Sequence, residues 1–205
     1  MIAIVDYGLG NVKAFANVYE RLNIPACIVR NVDDLNAAAK VILPGVGAFD
    51  QAMTKLNLSG MRKTLDDVVL IKKIPVLGIC VGMQILAKKS EEGILPGLGW
   101  IDGMVKKLDV SLLHDSKTQL PHMGWNTIQP NNGNPLLKNF NDESRFYFLH
   151  SYYFQCHKQH DSIAITEYGI HFSSAVNHEN IYGAQFHPEK SHQWGVQLLK
   201  NFAEF

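Results

Sequence analysis

Two short runs of the sequence contain residues that could act together as a nucleophile, a general base and an orienting acid. Cys80 lies in the run GICVGMQ, directly after an apolar segment, and His187 and Glu189 lie in QFHPEK near the far end of the chain. An imidazole can take the proton of a thiol, and a carboxylate can fix the tautomer of that imidazole. These residue types predict covalent attack by Cys80 on a carbonyl or amide carbon, with His187 as the base and Glu189 as its orienting partner.

The segment around Cys80 predicts a sharp turn from a strand into a helix. Gly78 and Gly82 flank the cysteine, and residues without side chains allow the tight backbone of a nucleophile elbow. The sulfur would then be exposed at a sheet edge above a helix N-terminus, which favours the thiolate.

Pro188 separates the predicted base from its orienting acid. Its fixed φ disfavours a helix, so we expect His187 and Glu189 to project from the same side of an extended segment. Taken alone, the run His-Pro-Glu is also typical of a simple cap between a strand and a helix.

Attack on a carbonyl creates an oxyanion, which needs hydrogen-bond donors fixed in place beforehand. The backbone N–H of Val81 follows the nucleophile at a helix start. The run PGVG, residues 44–47, follows another apolar segment and could direct the amides of Val46 and Gly47 at the same point. As an isolated motif, PGVG is also typical of an ordinary turn.

The composition limits the class of protein. The chain has 205 residues, 46% of them hydrophobic, and its 19 basic and 19 acidic side chains cancel. We therefore expect a single domain over residues 1–205 that binds neither nucleic acid nor a membrane. Three cysteines are too few for a disulfide framework and the first residues lack a basic leader, so we expect a reducing, cytoplasmic location.

Two further patterns could suggest a cofactor or a metal, and neither is complete. The glycine-rich turn Tyr7–Asn11 resembles the start of a dinucleotide-binding loop, but it lacks the third glycine. His157 and His160 lack a third ligand, so a solvated loop is the favoured interpretation. We expect no cofactor and no metal. Cys27 is interpreted as a small buried hydrophobe, and Cys156 has no evident role.

The first half of the chain alternates short apolar runs with helical patterns, which predicts an α/β fold with a mostly parallel central sheet flanked by helices. The strands are predicted at Met1–Asp6, Cys27–Val29, Lys40–Leu43 and Val76–Ile79. The helices are predicted after Asn11, with Val12, Phe15, Tyr19 and Leu22 on one face, and over 35–39, 48–56 and 61–70. Tyr7, Pro44 and Cys80 then fall at the carboxyl ends of strands, where ligands bind in such sheets.

The second half predicts an antiparallel extension of this sheet, because its apolar runs have hairpin-like spacing. The strands are predicted near Met104–Leu108, Trp125–Gln129, Arg145–Phe148, Tyr152–Gln155 and Ile163–Tyr168. A further apolar strand over Asn180–Phe186 precedes a closing helix over Trp194–Phe202, with Val196, Leu199 and Phe202 facing inward.

GICVGMQ, PGVG and QFHPEK together resemble the class I, or triad, glutamine amidotransferases. That resemblance implies a flavodoxin-like α/β fold and the hydrolysis of L-glutamine to glutamate and ammonia at a Cys-His-Glu site. It also implies that Gly47, Gln84 and Glu92 hold the glutamine, with Ser151 and Tyr152 nearby.

Within that family, DYGLGN, PHMGWN, FLHSYYF and PEKS are similar to the branch whose members supply ammonia to a (β/α)8 barrel subunit in histidine biosynthesis. The resemblance implies a heterodimer in which Asn11, Trp125, Tyr147 and Lys190 lie toward the barrel. After PEKS the chain continues with His192-Gln193-Trp194, which is bulkier than is usual in that branch.

Three alternatives stay open at this point. A sister branch with the same catalytic motifs supplies ammonia for the amidination of surface-polysaccharide sugars. A non-catalytic regulatory subunit on the same scaffold would usually lack a triad member, and here all three are present. A stand-alone cysteine hydrolase could act on a different amide.

Overall fold

A parallel sheet of five strands forms the centre of the molecule. The computed structural model describes residues 1–109, 111, 119–131 and 133–205. Within them the strands, in spatial order, are β2 (Ala26–Val29), β1 (Ile2–Val5), β3 (Lys40–Gly45), β4 (Val76–Cys80) and β13 (Ile181–Ala184). All neighbours in this group are parallel. The predicted α/β class with a mostly parallel centre is therefore confirmed.

Helices cover both faces of the parallel strands, as the right-handed connection of parallel strands requires. They are α1 (Val12–Arg21), α2 (Val32–Asn36), α3 (Phe49–Leu58), α4 (Arg62–Asp66), α5 (Val81–Gln84) and α6 (His192–Glu204). A π-helical turn, Asp67–Ile71, continues α4. The apolar face of α1 buries Val12, Phe15, Val18 and Tyr19, and each large apolar side chain so buried contributes roughly 1.5–3 kcal/mol.

Helix α2 begins earlier than the predicted range 35–39. The side chain of Asn31 accepts a hydrogen bond from the backbone N–H of Asp34 at 2.9 Å, which satisfies one of the free donors at the helix start. This N-cap fixes the first turn, and the helix ends at Asn36.

The antiparallel extension continues from β13 across the sheet. Its strands are β12 (Ile170–His178), β10 (Tyr152–Cys156) and β6 (Gly103–Lys107), with β11 (Ser162–Tyr168) paired to β12 and β8 (Gln129–Pro130) paired to β11. The short edge strand β5 (Lys89–Ser90) lies parallel to β6. Strand β12 was not predicted, because its sequence IHFSSAVNH mixes polar and small residues without a regular alternation.

Within the described residues, strands β7 (His122–Thr127) and β9 (Arg145–His150) pair with each other and form a separate two-stranded ribbon. The predicted antiparallel strands are found here, although the first begins at His122 rather than near Trp125. The register sets His122 opposite His150 and Trp125 opposite Tyr147. Because side chains alternate along a strand, the histidines face inward and the other pair faces outward.

The closing helix α6 packs its Leu198, Leu199 and Phe202 side chains into the core. Val196, predicted to face inward, is only partly buried at the edge of that core. The apolar stripe is therefore shifted by part of a turn from its predicted position. None of the helices in the part of the chain that the structure describes is long and apolar enough to cross a membrane.

Candidate active site

Cys80 is the last residue of β4, and α5 begins at the next residue. Its backbone has φ +55° and ψ −114°, a combination that L-residues with a Cβ rarely adopt. Such conformations cost on the order of 1–3 kcal/mol and persist only where the surrounding packing fixes them. The chain therefore makes the sharp strand-to-helix turn that the sequence around Cys80 predicts.

Close backbone packing holds this turn in place. A Cβ at Gly82 would collide with the carbonyl of Leu43, and a Cβ at Gly45 would collide with the backbone nitrogen of Gly82. Strand β3 and helix α5 therefore meet backbone to backbone, at a separation that only glycine permits.

His187 and Glu189 form a buried pair. The Nδ1 atom of His187 lies 2.9 Å from Oε1 of Glu189, and their side chains are only 4% and 3% exposed. The expectation of an extended segment was wrong, because Pro188 starts a short 3-10 helix over Pro188–Lys190. Proline suits the first position of a helix, where its missing N–H is not needed. The turn, rather than an extended strand, brings the carboxylate beneath the imidazole.

The electrostatics of the pair favour a protonated imidazole. Burial alone lowers the pKa of His187, but hydrogen bonding and Coulomb attraction to Cys80 and Glu189 outweigh it and raise the pKa to about 10. With Nδ1–H donated to Glu189, the other ring nitrogen is left for the sulfur. A thiolate beside an imidazolium is the form of a cysteine that attacks carbonyl carbon.

A cavity of about 300 Å³ opens beside the sulfur. Its lining includes each residue predicted for catalysis, the oxyanion or the substrate except Glu189, which lies behind His187: Val46, Gly47, Cys80, Val81, Gln84, Glu92, Ser151, Tyr152 and His187. Lys190, predicted to face a partner, also lines it, as do Pro121, Leu149 and His150. A cavity of this size suits a ligand no larger than an amino acid or a small cofactor fragment.

One wall of the cavity is held by a buried amide network. The Nε2 atom of Gln84 donates to the carbonyl of Tyr152 at 2.9 Å and to Oε1 of Gln185 at 3.1 Å. Gln185 in turn directs its Nε2 at the sulfur of Cys80, at 3.9 Å. Gln185 was missed by the sequence analysis, although it begins the run QFHPEK.

The PGVG run contributes Val46 and Gly47 to the lining of the cavity. The hydroxyl of Tyr7 donates to the carbonyl of Pro44 at 2.7 Å, and burial, together with the nearness of Cys80, raises the pKa of Tyr7 so that it stays a donor. Gly47 has φ +84°, a conformation open mainly to glycine. Glu92 accepts a hydrogen bond from the backbone N–H of Phe49 at 2.9 Å, at the start of α3.

Residues predicted for a partner contact form an outward surface beside the cavity. Trp125 is 40% exposed and meets Tyr147 edge to face, with ring centroids 6.3 Å apart. The Nζ atom of Lys190 lies 5.7 Å from the Tyr147 ring centroid. His192 stacks on Trp125 at 5.3 Å, which the sequence analysis did not foresee. Asn11 is exposed at the start of α1, directly after Gly10.

The residues expected to have no role in the site lie away from this cavity. His157 contacts Asp102, at 2.9 Å, and no group of metal-ligating residues occurs in the described ranges. Cys27 is partly buried and packs against the core, so it is less enclosed than the buried hydrophobe that the sequence predicts. The sulfur of Cys156 lies 3.9 Å from the Ser173 hydroxyl, and burial raises its pKa to about 12.

The fold and the residues of this cavity are those of one class of protein, and comparison of the sequence with known families identifies the same class. The profile of the family described as "Glutamine amidotransferase class-I" matches residues 3–204. The chain therefore belongs to the class-I glutamine amidotransferase family.

The similar proteins within that family have a narrower name. The chain is 55% identical to "Imidazole glycerol phosphate synthase subunit HisH" of Bdellovibrio bacteriovorus, over 100% of both chains. It is also 55% identical to the protein of that name from Leptospira borgpetersenii, over 99% of both. It is 45% identical to "Imidazole glycerol phosphate synthase subunit HisH 2" of Pseudomonas aeruginosa, over 100% of this chain and 99% of that one.

Solved structures share the fold at lower sequence identity. A structure described as a glutamine amidotransferase aligns with a TM-score of 0.70 at 17% identity, over 97% of this chain and 98% of the other. PurLQS from Thermotoga maritima aligns with a TM-score of 0.72 at 15% identity, over 98% and 96%. The expected class I glutamine amidotransferase fold is confirmed.

Proposed function

We propose that this chain is the glutaminase subunit of an imidazole glycerol phosphate synthase, folded as a single domain over residues 1–205. The observation that supports it most directly is the juxtaposition of Cys80, on its strained turn, with the buried His187–Glu189 pair at one cavity of about 300 Å³. The name shared by full-length relatives at 55% identity supports the particular branch.

In the proposed reaction the Cys80 thiolate attacks the side-chain amide carbon of L-glutamine. The oxyanion that forms accepts hydrogen bonds from the N–H of Val81 and from the amides of Val46 and Gly47. The His187 imidazolium, held by Glu189, gives its proton to the leaving nitrogen, so that ammonia departs and a γ-glutamyl thioester remains.

A water molecule then resolves the thioester. Neutral His187 takes a proton from the water as it attacks, the product leaves, and the Cys80 thiolate and His187 imidazolium are restored. The sum is L-glutamine and water giving glutamate and ammonia. Gln84, Glu92, Ser151 and Tyr152 would hold the glutamine, since all four line the cavity.

Ammonia released to neutral water becomes ammonium, which is not a nucleophile. We therefore infer that a (β/α)8 barrel subunit docks over the cavity mouth, where Trp125, Tyr147, Lys190 and Asn11 offer side chains to a partner. The barrel would use the ammonia to convert a phosphoribulosyl compound into imidazole glycerol phosphate and an aminoimidazole carboxamide ribotide, in histidine biosynthesis. Three free cysteines fit a cytoplasmic location.

The sister branch is the second candidate. His192 stacks on Trp125 and belongs to the bulky run that departs from the histidine-pathway pattern, so the surface offered to the barrel differs at this point. Adding a histidine-pathway barrel with its phosphoribulosyl substrate distinguishes the branches. The proposal expects glutamine-dependent product, whereas the alternative expects glutamine hydrolysis without it.

The test of the glutaminase is Cys80→Ala, with Cys156→Ala as the matched control. Removing the nucleophile should lower glutamate release in the presence of the barrel by about 10³-fold or more, while the circular dichroism spectrum and barrel binding stay unchanged. The control should retain activity. Glutamate release by Cys80→Ala at the wild-type rate would contradict the proposal.

Two other outcomes identify the remaining alternatives. A wild-type chain that binds a barrel but releases no glutamate is a non-catalytic subunit. Labelling of Cys80 by a glutamine-like electrophile that glutamine does not suppress indicates a hydrolase for another amide.

A further inference from the structure

Two buried histidines, His122 and His150, lie next to the catalytic residues without being part of the triad. They face each other across β7 and β9, are 3% and 6% exposed, and their Nδ1 and Nε2 atoms lie 3.0 Å apart. The ring of His122 is stacked between Phe148 and Tyr168, with centroid distances of 4.7 Å and 3.9 Å. His150 lines the cavity.

The hydrogen bonds determine which nitrogen of each ring bears the proton. His150 Nδ1 lies 2.8 Å from the carbonyl of Tyr152, and a carbonyl can only accept, so Nδ1 is protonated. The Nε2 atom of a neutral His150 must then accept from Nδ1–H of His122. The remaining nitrogen of His122 accepts from Nδ2 of Asn126, at 3.3 Å.

Both rings are therefore neutral and in the same, Nδ1-protonated tautomer. Burial agrees with this assignment, since it lowers the pKa of His122 to about 4 and, with the nearby His122 as a smaller cause, that of His150 to about 3. The proton positions run in one direction, from Asn126 through the two imidazoles to the Tyr152 carbonyl.

That carbonyl is the point where the histidine pair meets the glutamine pocket. The Tyr152 oxygen accepts from His150 and also from Nε2 of Gln84 at 2.9 Å. Gln84 continues to Gln185, which lies against the sulfur of Cys80. The wall segment 149–152, to which His150 belongs, is thus held by His122 from behind and by Gln84 from within the cavity.

We propose that His122 and His150 are positioning residues that hold the Tyr152 carbonyl and the cavity wall 149–152 in the geometry that binds glutamine. The inference rests on the proposed glutaminase function and deepens it. His122 is not among the residues that line the cavity and acts through His150. If the Nδ1–H group of His122 is removed, the buried Nε2 atom of His150 has no hydrogen-bond donor.

The ring of His150 can satisfy that nitrogen only by turning toward the cavity that it lines, which takes Nδ1–H away from its present partner. The Tyr152 carbonyl then loses its donor, and the wall is held by Gln84 alone. Glutamine binding should weaken, whereas the sulfur, its base and the oxyanion donors keep their places. The expected effect is therefore on KM rather than on kcat.

The experiment compares His122→Phe with His122→Asn. Phenylalanine keeps the aromatic stack and removes the donor, whereas an asparagine amide stands where Nδ1–H stood and restores it. Loss of one buried hydrogen bond should raise KM for glutamine about tenfold in His122→Phe with kcat within about threefold. His122→Asn should recover most of that loss. Tyr168→Phe, which keeps the ring stacked on His122 and removes only the hydroxyl that bonds Gln119, is the control.

The outcomes separate this inference from the glutaminase proposal. Suppose that the wild-type complex hydrolyses glutamine. If KM is then unchanged in His122→Phe, or if kcat falls while KM rises and asparagine rescues neither, the inference fails and the proposed function stands. If the wild type does not hydrolyse glutamine, the function fails. Should His122→Phe not fold, imidazole ¹⁵N NMR of the wild type decides: the inference requires both rings neutral with Nδ1 protonated near pH 7, and any other state overturns it.

Discussion

At the residue scale, the molecule places backbone strain at the position that does the chemistry. Cys80 combines an unfavourable φ and ψ with burial at the end of β4. The side chain is exposed to the cavity only because the chain turns so sharply there. The strain is therefore a cost in stability that accompanies a usable nucleophile.

Replacing Cys80 by glycine should stabilise the fold while removing the sulfur. Glycine adopts this backbone conformation without a Cβ clash. The strain energy released exceeds the entropic cost of ordering the more flexible glycine, so we expect Cys80→Gly to be about 1 kcal/mol more stable than Cys80→Ala. Urea denaturation of the two variants measures the difference. A Cys80→Gly protein less stable than Cys80→Ala would show that the turn is not strained.

The residues of the cavity differ in how far the sequence reveals them. Cys80, His187 and Glu189 can be recognised from the sequence because their side chains are reactive and the sequence motifs around them are distinctive. His150 and Gln185 are not, since a buried neutral histidine or amide has no signature in one sequence. Whether such a side chain is solvated or enclosed depends on which strands pair. The ribbon of β7 and β9 encloses His150, and the main sheet at the end of β13 encloses Gln185.

At the element scale, the position of the nucleophile depends on the contact between β3 and α5. Gly45 and Gly82 allow the two backbones to touch, and α5 is only four residues long. A helix this short gains little from its own hydrogen bonds, so the packing against β3 holds it.

Gly82→Ala should therefore separate β3 from α5. The new methyl group collides with the carbonyl of Leu43, which cannot move without disturbing the parallel sheet, and we expect a loss of about 3 kcal/mol in the free energy of unfolding. Thermal and urea denaturation test this. Asn57→Ala, at an exposed position of α3, should change stability by less than about 0.5 kcal/mol.

The elements themselves were mostly predictable where the sequence is periodic. The apolar runs of β1, β3 and β4 are fully buried strands of a parallel sheet, and they are found where expected. Strand β12 and the 3-10 turn at Pro188 were not, because β12 has no regular alternation and the turn is set by the buried contact of His187 with Glu189. Pairing partners decide such segments, and local propensity does not.

At the scale of the whole molecule, burying two neutral histidines makes stability depend on pH. In the unfolded chain His122 and His150 bind protons below about pH 6.5, whereas their folded pKa values are about 4 and about 3. The contribution of these two histidines to stability is therefore complete above pH 6.5 and falls as the pH drops toward 4, because the unfolded state takes up more protons.

The expected loss at pH 5 is on the order of 2 kcal/mol for each histidine relative to neutral pH. Urea denaturation between pH 7 and pH 5 measures it. In His122→Phe one of these groups is gone, so the decline of stability with pH should be about half as steep. An equal decline in both proteins would contradict the neutral, buried state of His122.

The ribbon of β7 and β9 has two faces that belong to one small body. His122 and His150 point from one face toward the pocket, and Trp125 and Tyr147 point from the other toward solvent. The pleat fixes the two sets of side chains to the same backbone, so a tilt of the ribbon cannot shift one set alone. A partner that displaces the Trp125 side chain would therefore also displace the rings of His122 and His150.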